Sequence, residues 1–130
     1  DYWYLLGDTQ HKCGLLEDSI HSYQQVSQMD PQHPDIWLDY SHVYLELGDV
    51  QQALDTLKQG MNVQPGNPDL LYRLSIYTYR SGKVREAYNL IGEALSLDFD
   101  RLGQLFSYYP NLKKDRNILN LIESHRKQNK

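Results

Sequence analysis

Three glycines set the frame of this chain. Gly14, Gly48 and Gly82 are separated by 34 and 34 residues. Anchored on them, the sequence aligns with itself. Eleven residues before each glycine stands a large apolar side chain: Trp3, Trp37 or Leu71. Leu6, Tyr40 and Leu74 follow, then the small residues Gly7, Ser41 and Ser75. After each glycine come Ser19, Ala53 or Ala87, then Tyr23, Leu57 or Ile91, then Val26, Gly60 or Ala94. Each unit closes on Pro31, Pro65 or Phe99.

The spacing has a physical cause. Trp37, Tyr40, Ser41 and Tyr44 fall at i, i+3, i+4 and i+7, one face of a helix. Ala53, Leu57 and Gly60 form the matching face of a second helix. Small residues at these positions let two helix axes approach closely. Gly48 lies between the helices, where a left-handed C-terminal cap favours glycine. Pro34 and Pro68 suit the opening turn of the helix that follows each unit boundary. The pattern predicts helices near 1–13, 16–29, 35–47, 50–63, 69–81 and 84–97.

These residues resemble the tetratricopeptide repeat (TPR) family, over about Asp1 to Asp98. The resemblance is carried by Trp37, Tyr40, Ser41, Tyr44, Gly48, Ala53, Leu57, Gly60 and Pro65, with their counterparts in the flanking units. Gln10 and Thr78 stand where the family has tyrosine, and Phe99 where it has proline. The resemblance implies an all-α chain, a right-handed α-solenoid of helix-turn-helix units with a concave and a convex side. The expected divisions are TPR unit 1 at 1–33, unit 2 at 34–67, unit 3 at 68–99 and C-terminal capping helices at 100–130, in one continuous domain.

The repeat fails after Asp98. Leu102, Leu105, Phe106 and Tyr109 still fit one helical face, so a helix is expected from Asp100 to about Tyr109, ended by Pro110. Asp115 is a fair N-cap for another helix carrying Ile118, Leu121, Ile122 and His125 on one face. Terminal repeats need such a cap over their last apolar face. Residues 128–130 are expected to fray.

Composition narrows the function. No run of 18 apolar residues exists, which argues against a membrane span, and no Asn-X-Ser/Thr acceptor occurs. Cys13 is the single cysteine, so no internal disulfide can form; its position before Gly14 at a helix C-terminus suits a small apolar filler better than a nucleophile. The net charge of -4 argues against nucleic-acid binding. From Asp1 to Tyr72 there are 11 acids against Lys12 and Lys58, whereas Lys113 to Lys130 holds six bases against Asp115 and Glu123. A ligand of the first part is therefore expected to be neutral or basic. The chain opens on Asp1 inside a helical pattern, which points to a C-terminal fragment of a longer TPR protein. A cytoplasmic setting is expected; a periplasmic one fits the lack of disulfides equally well.

No constellation of nucleophile, base and orienting group is legible, so the chain is read as non-enzymatic and without a cofactor. The five histidines, His11, His21, His33, His42 and His125, form no HExxH motif. A zinc or nickel site at His11 and His42, with Asp8 and Asp39 nearby, is the weakest reading, and no metal is assigned.

The resemblance implies that the first helix of each pair lines the concave face. Its groove positions hold Tyr4, Asp8, His11 and Lys12 in the first unit. They hold Leu38, Asp39, His42, Leu45 and Glu46 in the second, and Tyr72, Arg73, Ile76, Tyr79 and Arg80 in the third. A well-known TPR mode grips a terminal carboxylate with Lys, Asn and Arg. Here Tyr4, Asp8 and Asp39 occupy the lysine and asparagine positions, and Arg73 alone matches. Asp8 and Asp39 would repel a carboxylate, which argues against a co-chaperone of the Hsp70/Hsp90-tail type. The reading that remains is a protein-interaction scaffold taking a partner peptide or helix in the groove. The alternative is a structural part of a longer solenoid with no ligand of its own, or a self-associating one whose homodimer forms through its N-terminal edge.

Overall fold

The computed structural model describes residues 1–129, all helical or connecting. It comprises α1 (Tyr2–Lys12), α2 (Leu16–Met29), α3 (Ile36–Glu46), α4 (Val50–Val63), α5 (Pro68–Arg80), α6 (Val84–Leu97), α7 (Gly103–Tyr108) and α8 (Arg116–Gln128). Two 3-10 turns, Phe99–Arg101 and Pro110–Lys114, flank α7. The first six helices match the predicted positions within a residue at most ends. The chain divides into two compact units, Asp1–Pro65 and Gly66–Lys130, where the sequence pattern suggests one continuous domain.

Each helix pair closes through the same cap. In α3 the Gly48 N–H donates to the Leu45 carbonyl and the Asp49 N–H to the Tyr44 carbonyl, both at 3.0 Å. This is the Schellman arrangement, and it requires the left-handed backbone that Gly48 adopts at φ 85°. The same bonds recur at Gly14 and Gly82. The 34-residue recurrence of glycine is thus the recurrence of one backbone turn.

In the first unit α1 packs on α2, α2 on α3 and α3 on α4. Val26, Ile36, Val43, Ala53 and Leu57 are fully buried. Small residues fit under aromatic rings. A Cβ placed on Gly60 would lie 2.6 Å from Trp37 Cγ, and one on Gly7 would lie 2.6 Å from Tyr23 Cε1. The Trp37 indole N–H donates to the Pro31 carbonyl at 2.9 Å, and Gln64 donates to the Pro31 and His33 carbonyls. One indole therefore ties the connection between pairs to the α3–α4 contact.

In the second unit α5 pairs with α6, α7 lies on α5, and α8 lies on α6. The single helix expected from Asp100 to Tyr109 is a 3-10 turn followed by the six-residue α7. Pro110 does end α7, and it opens the second 3-10 turn. Asp115 caps α8 by accepting the Asn117 N–H at 2.9 Å, as the sequence suggests. Leu105, Leu112 and Ile118 are fully buried and Ile122 nearly so, which shields apolar surface of α5 and α6. Helix α8 runs to Gln128, the first of the residues expected to fray; Lys130 lies outside the described residues.

Two glycine substitutions should move stability in opposite directions. Alanine gains up to about 1 kcal/mol of helix propensity over glycine. At Gly60 the new methyl meets the root of the Trp37 side chain, and overpacking of this kind costs about 1–3 kcal/mol. At Gly92, inside α6, nothing lies within 4 Å of the added carbon. Chemical denaturation should show Gly60→Ala less stable than the unaltered chain and Gly92→Ala more stable; equal shifts would remove the close α3–α4 contact.

Candidate functional site

The first helices of the two pairs in the first unit, α1 and α3, share a polar face. Tyr4 on α1 donates its hydroxyl to Asp39 Oδ2 on α3. Near the other end of both helices, His11 Nε2 lies 2.9 Å from Glu46 Oε1. His42, one turn before Glu46, places Nε2 2.6 Å from the same oxygen. The imidazoles of His11 and His42 meet edge to face at 5.8 Å. Asp8 accepts the hydroxyl of Tyr23 from α2. Tyr4 also packs against His33, with ring centroids 4.3 Å apart. Six predicted groove residues, Tyr4, Asp8, His11, Leu38, Asp39 and His42, therefore belong to this α1–α3 pair of helices, and Leu38 is half-buried.

The electrostatics follow from these contacts. Burial raises the Tyr23 hydroxyl well above the ordinary tyrosine range, and the Asp8 carboxylate that accepts its hydrogen bond adds to the effect. Burial and Asp39 do the same to Tyr4. Glu46 is held below the usual glutamate range, chiefly by the hydrogen bond from His11, with His42 adding to it. The face thus gathers three carboxylates, Asp8, Asp39 and Glu46, each held by a tyrosine hydroxyl or a histidine ring, which suits it to cations.

The third-unit positions are placed differently. Tyr72 and Ile76 are fully buried, and Arg73 is 6% exposed. These three were expected on an open groove, and the structure encloses them instead. The Tyr72 hydroxyl donates to the Asp98 carbonyl at 2.7 Å. The Arg73 guanidinium carbon stands 3.9 Å from the centre of the Tyr108 ring on α7. Its Nη1 is 3.4 Å from the Tyr77 hydroxyl, and its Nε has no hydrogen-bond partner among the described residues. Tyr79 donates to Asp115 at 2.7 Å and meets the Tyr109 ring at 6.0 Å. Arg80 is exposed, with its guanidinium 5.3 Å from the Tyr109 centroid. The C-terminal segment thus engages the residues that resemblance assigns to a ligand. Sequence periodicity puts Tyr109 on one helical face with Leu102, Leu105 and Phe106, but it gives neither Tyr108 nor the α5 residues these rings meet, because both tyrosines lie where the 34-residue repeat has lapsed.

Two further placements correct the sequence reading. Cys13 is exposed at the C-cap of α1 and fills no core. The acid that joins His11 and His42 is Glu46, whereas Asp8 and Asp39 accept from Tyr23 and Tyr4. The i, i+4 spacing of His42 and Glu46 was the signal for it.

Comparison with known proteins agrees with the geometry. The tetratricopeptide repeat family model matches residues 14–74. The TPR repeat-containing protein YpiA of Bacillus subtilis is 27% identical over 123 residues, 92% of this chain and 29% of that protein. The chain therefore spans less than a third of this relative. The Yersinia enterocolitica type III secretion chaperone SycD, solved with a peptide of the translocator YopD, superposes with a TM-score of 0.69 at 15% identity, covering 99% of this chain and 93% of that one. The first TPR of Spaghetti (RPAP3), bound to the HSP90 peptide SRMEEVD, gives 0.65 at 16% identity, covering 98% and 90%. The chain is similar to tetratricopeptide repeat proteins, with the family model covering just under half of it, and its fold is the all-α fold of the solved members.

The tyrosine contacts predict an alkaline signature. Tyr72 and Tyr79 are each pushed up to about 12, Tyr72 by burial and Tyr79 by its bond to Asp115. Tyr4, Tyr23 and Tyr40 shift further in the same direction. A raised folded-state value means the native state holds protons the unfolded chain would lose. That stability is complete below the ordinary tyrosine value of about 10 and is lost as pH climbs through the folded values. Tyrosinate absorbance of the native chain should lag behind that of the denatured chain, and Tyr23→Phe should shrink the lagging fraction. Coincident curves would rule out these hydrogen bonds.

Proposed function

We propose that this chain is a non-enzymatic protein-binding module, and that its α1–α3 face takes a neutral or basic peptide or helix. The observation that carries the reading is the carboxylate set on that face, Asp8, Asp39 and Glu46, flanked by Tyr4 and Leu38. Aromatic and aliphatic surface with a polar tip suits peptide contact at modest entropic cost. The first unit carries ten acids against Lys12 and Lys58, so a basic segment would be drawn toward it. Support for a protein ligand comes from proteins of the same fold solved with partner peptides, SycD with YopD and RPAP3 with SRMEEVD.

The charge argument separates this chain from the second of those. The SRMEEVD peptide holds three acids and a terminal carboxylate. Asp8 and Asp39 stand at two of the positions that would face such a carboxylate, and Arg73, the one matching residue, is enclosed by Tyr77 and Tyr108. An acidic tail is therefore disfavoured.

A second reading rests on Tyr2, Leu5, Leu15 and Met29, which are 71%, 68%, 51% and 67% exposed on the first helix pair and its turn. Such a surface suits packing against another helix, from a further repeat or from a second copy of the chain.

The test is a pull-down with two baits, the unaltered chain and Leu38→Lys, with circular dichroism to confirm equal helicity. A partner retained by the first bait and lost from the second supports the module. Equal recovery from both moves the weight to the structural reading. In parallel, the SRMEEVD peptide should bind neither bait, and measurable binding would overturn the charge argument.

A further inference from the structure

The cluster of His11, His42 and Glu46 has the chemistry of a metal site. Three side chains from two helices each offer one donor atom, and the three atoms lie within 4.8 Å of one another. Both rings present Nε2 to Glu46 Oε1, at 2.9 and 2.6 Å. Without metal the Nε2–H groups donate to this oxygen; metal binding takes the tautomer with the proton on Nδ1, reached by exchange with solvent, which frees each Nε2 lone pair while the carboxylate supplies the anion. Two imidazoles and one carboxylate form a set that zinc uses in tetrahedral sites that leave one position open.

We infer that His11, His42 and Glu46 bind a zinc ion that links α1 to α3, with water completing the coordination. Zinc bonds of about 2.0–2.2 Å give ligand-to-ligand edges of about 3.4 Å in a tetrahedron. Two edges of the present cluster are shorter than that, so an ion entering between the rings and the carboxylate pushes these pairs apart by less than about 1 Å. Exposed side chains can make that shift by small torsional changes. The exposures, 29% for His11, 46% for His42 and 37% for Glu46, leave the ion a path from solvent. His42 and Glu46 sit one turn apart on α3, so the helix itself fixes their separation, and His11 supplies the third ligand from a different repeat. Asp8 and Asp39 are turned to Tyr23 and Tyr4 and contribute field, not ligands.

The inference stands apart from the partner reading, because its test uses the chain alone. Zinc chloride is titrated against a chromophoric chelator with the unaltered chain and with His11→Ala, His42→Ala, Glu46→Gln, Asp8→Asn and Cys13→Ser. One zinc per chain should bind, with thermal melting raised by the metal. Each of the first three variants should weaken binding by at least about tenfold, the order of loss seen when even the residues behind metal ligands are removed. Asp8→Asn should weaken it far less than the ligand variants, and Cys13→Ser should leave it unchanged. Proton–nitrogen spectra should show zinc-dependent shifts at His11 and His42 and none at His21, His33 or His125. Glu46→Gln keeps the shape of the side chain, so it carries the test if a histidine variant loses helicity. Absence of stoichiometric uptake, uptake indifferent to His11 and His42, or loss of uptake in Cys13→Ser overturns the assignment. Failure here leaves the pull-down result standing, and the reverse holds equally.

Discussion

The contact on which the first unit depends is a large ring resting on a residue with no side chain. Trp37 covers Gly60, and Tyr23 covers Gly7, at distances where even a methyl group would collide. Close approach gives each ring dispersion contacts that a wider spacing would forfeit. It also fixes rotation about the helix axis. With Trp37 and Tyr40 turned to α4 and the core, Asp39, His42 and Glu46 are left on the opposite side of α3. The chemistry of the outer face is therefore set by packing on the inner one. The indole N–H adds a second duty, since its bond to Pro31 anchors the turn that brings α3 alongside α1.

Contacts between neighbouring first helices keep a constant offset. Tyr4 pairs with Asp39 and His11 with Glu46, each 35 residues apart, one more than the repeat period. Parallel helices related by one repeat meet through a residue on one and the position after its equivalent on the next. In the second unit Gln104 donates to Asp69 across the same 35 residues. By this measure α7 occupies the place of a further first helix, although the glycine turn and the apolar code have both lapsed. Helix α8 then lies on α6, and the last pair is finished in a shortened form.

That shortened pair changes the character of α5. Tyr108 stacks on Arg73, Tyr109 meets Tyr79 and Arg80, and Asp115 accepts from Tyr79 and Tyr88. Burial opposes ionisation of Asp115, yet the hydroxyls of Tyr79 and Tyr88 and the N–H groups of Asn117 and Ile118 outweigh it and hold the carboxyl below its usual value. One aspartate thus caps α8 and fastens it to α5 and α6. Arg73 shows the cost of reading function from position. Its place in the repeat matches a carboxylate-gripping arginine, but its guanidinium is spent on the rings of its own chain.

The sequence by itself determined the helix pairs, the cap of each and the small residues between them. All of these rest on local rules, a left-handed turn that favours glycine and a period that puts Trp37, Tyr40, Ser41 and Tyr44 on one face. It also carried the identity of most first-unit surface residues, because a helix face is read from spacing alone. What only the tertiary structure decided is which of these residues meet. The choice of Glu46 over Asp8 and Asp39 as the shared acceptor of two histidines depends on the offset between α1 and α3, which no single helix encodes. The enclosure of Tyr72, Arg73 and Ile76 and the exposure of Cys13 are likewise fixed by how elements pack, since burial is a property of the assembled surfaces and not of any residue's place in a repeat.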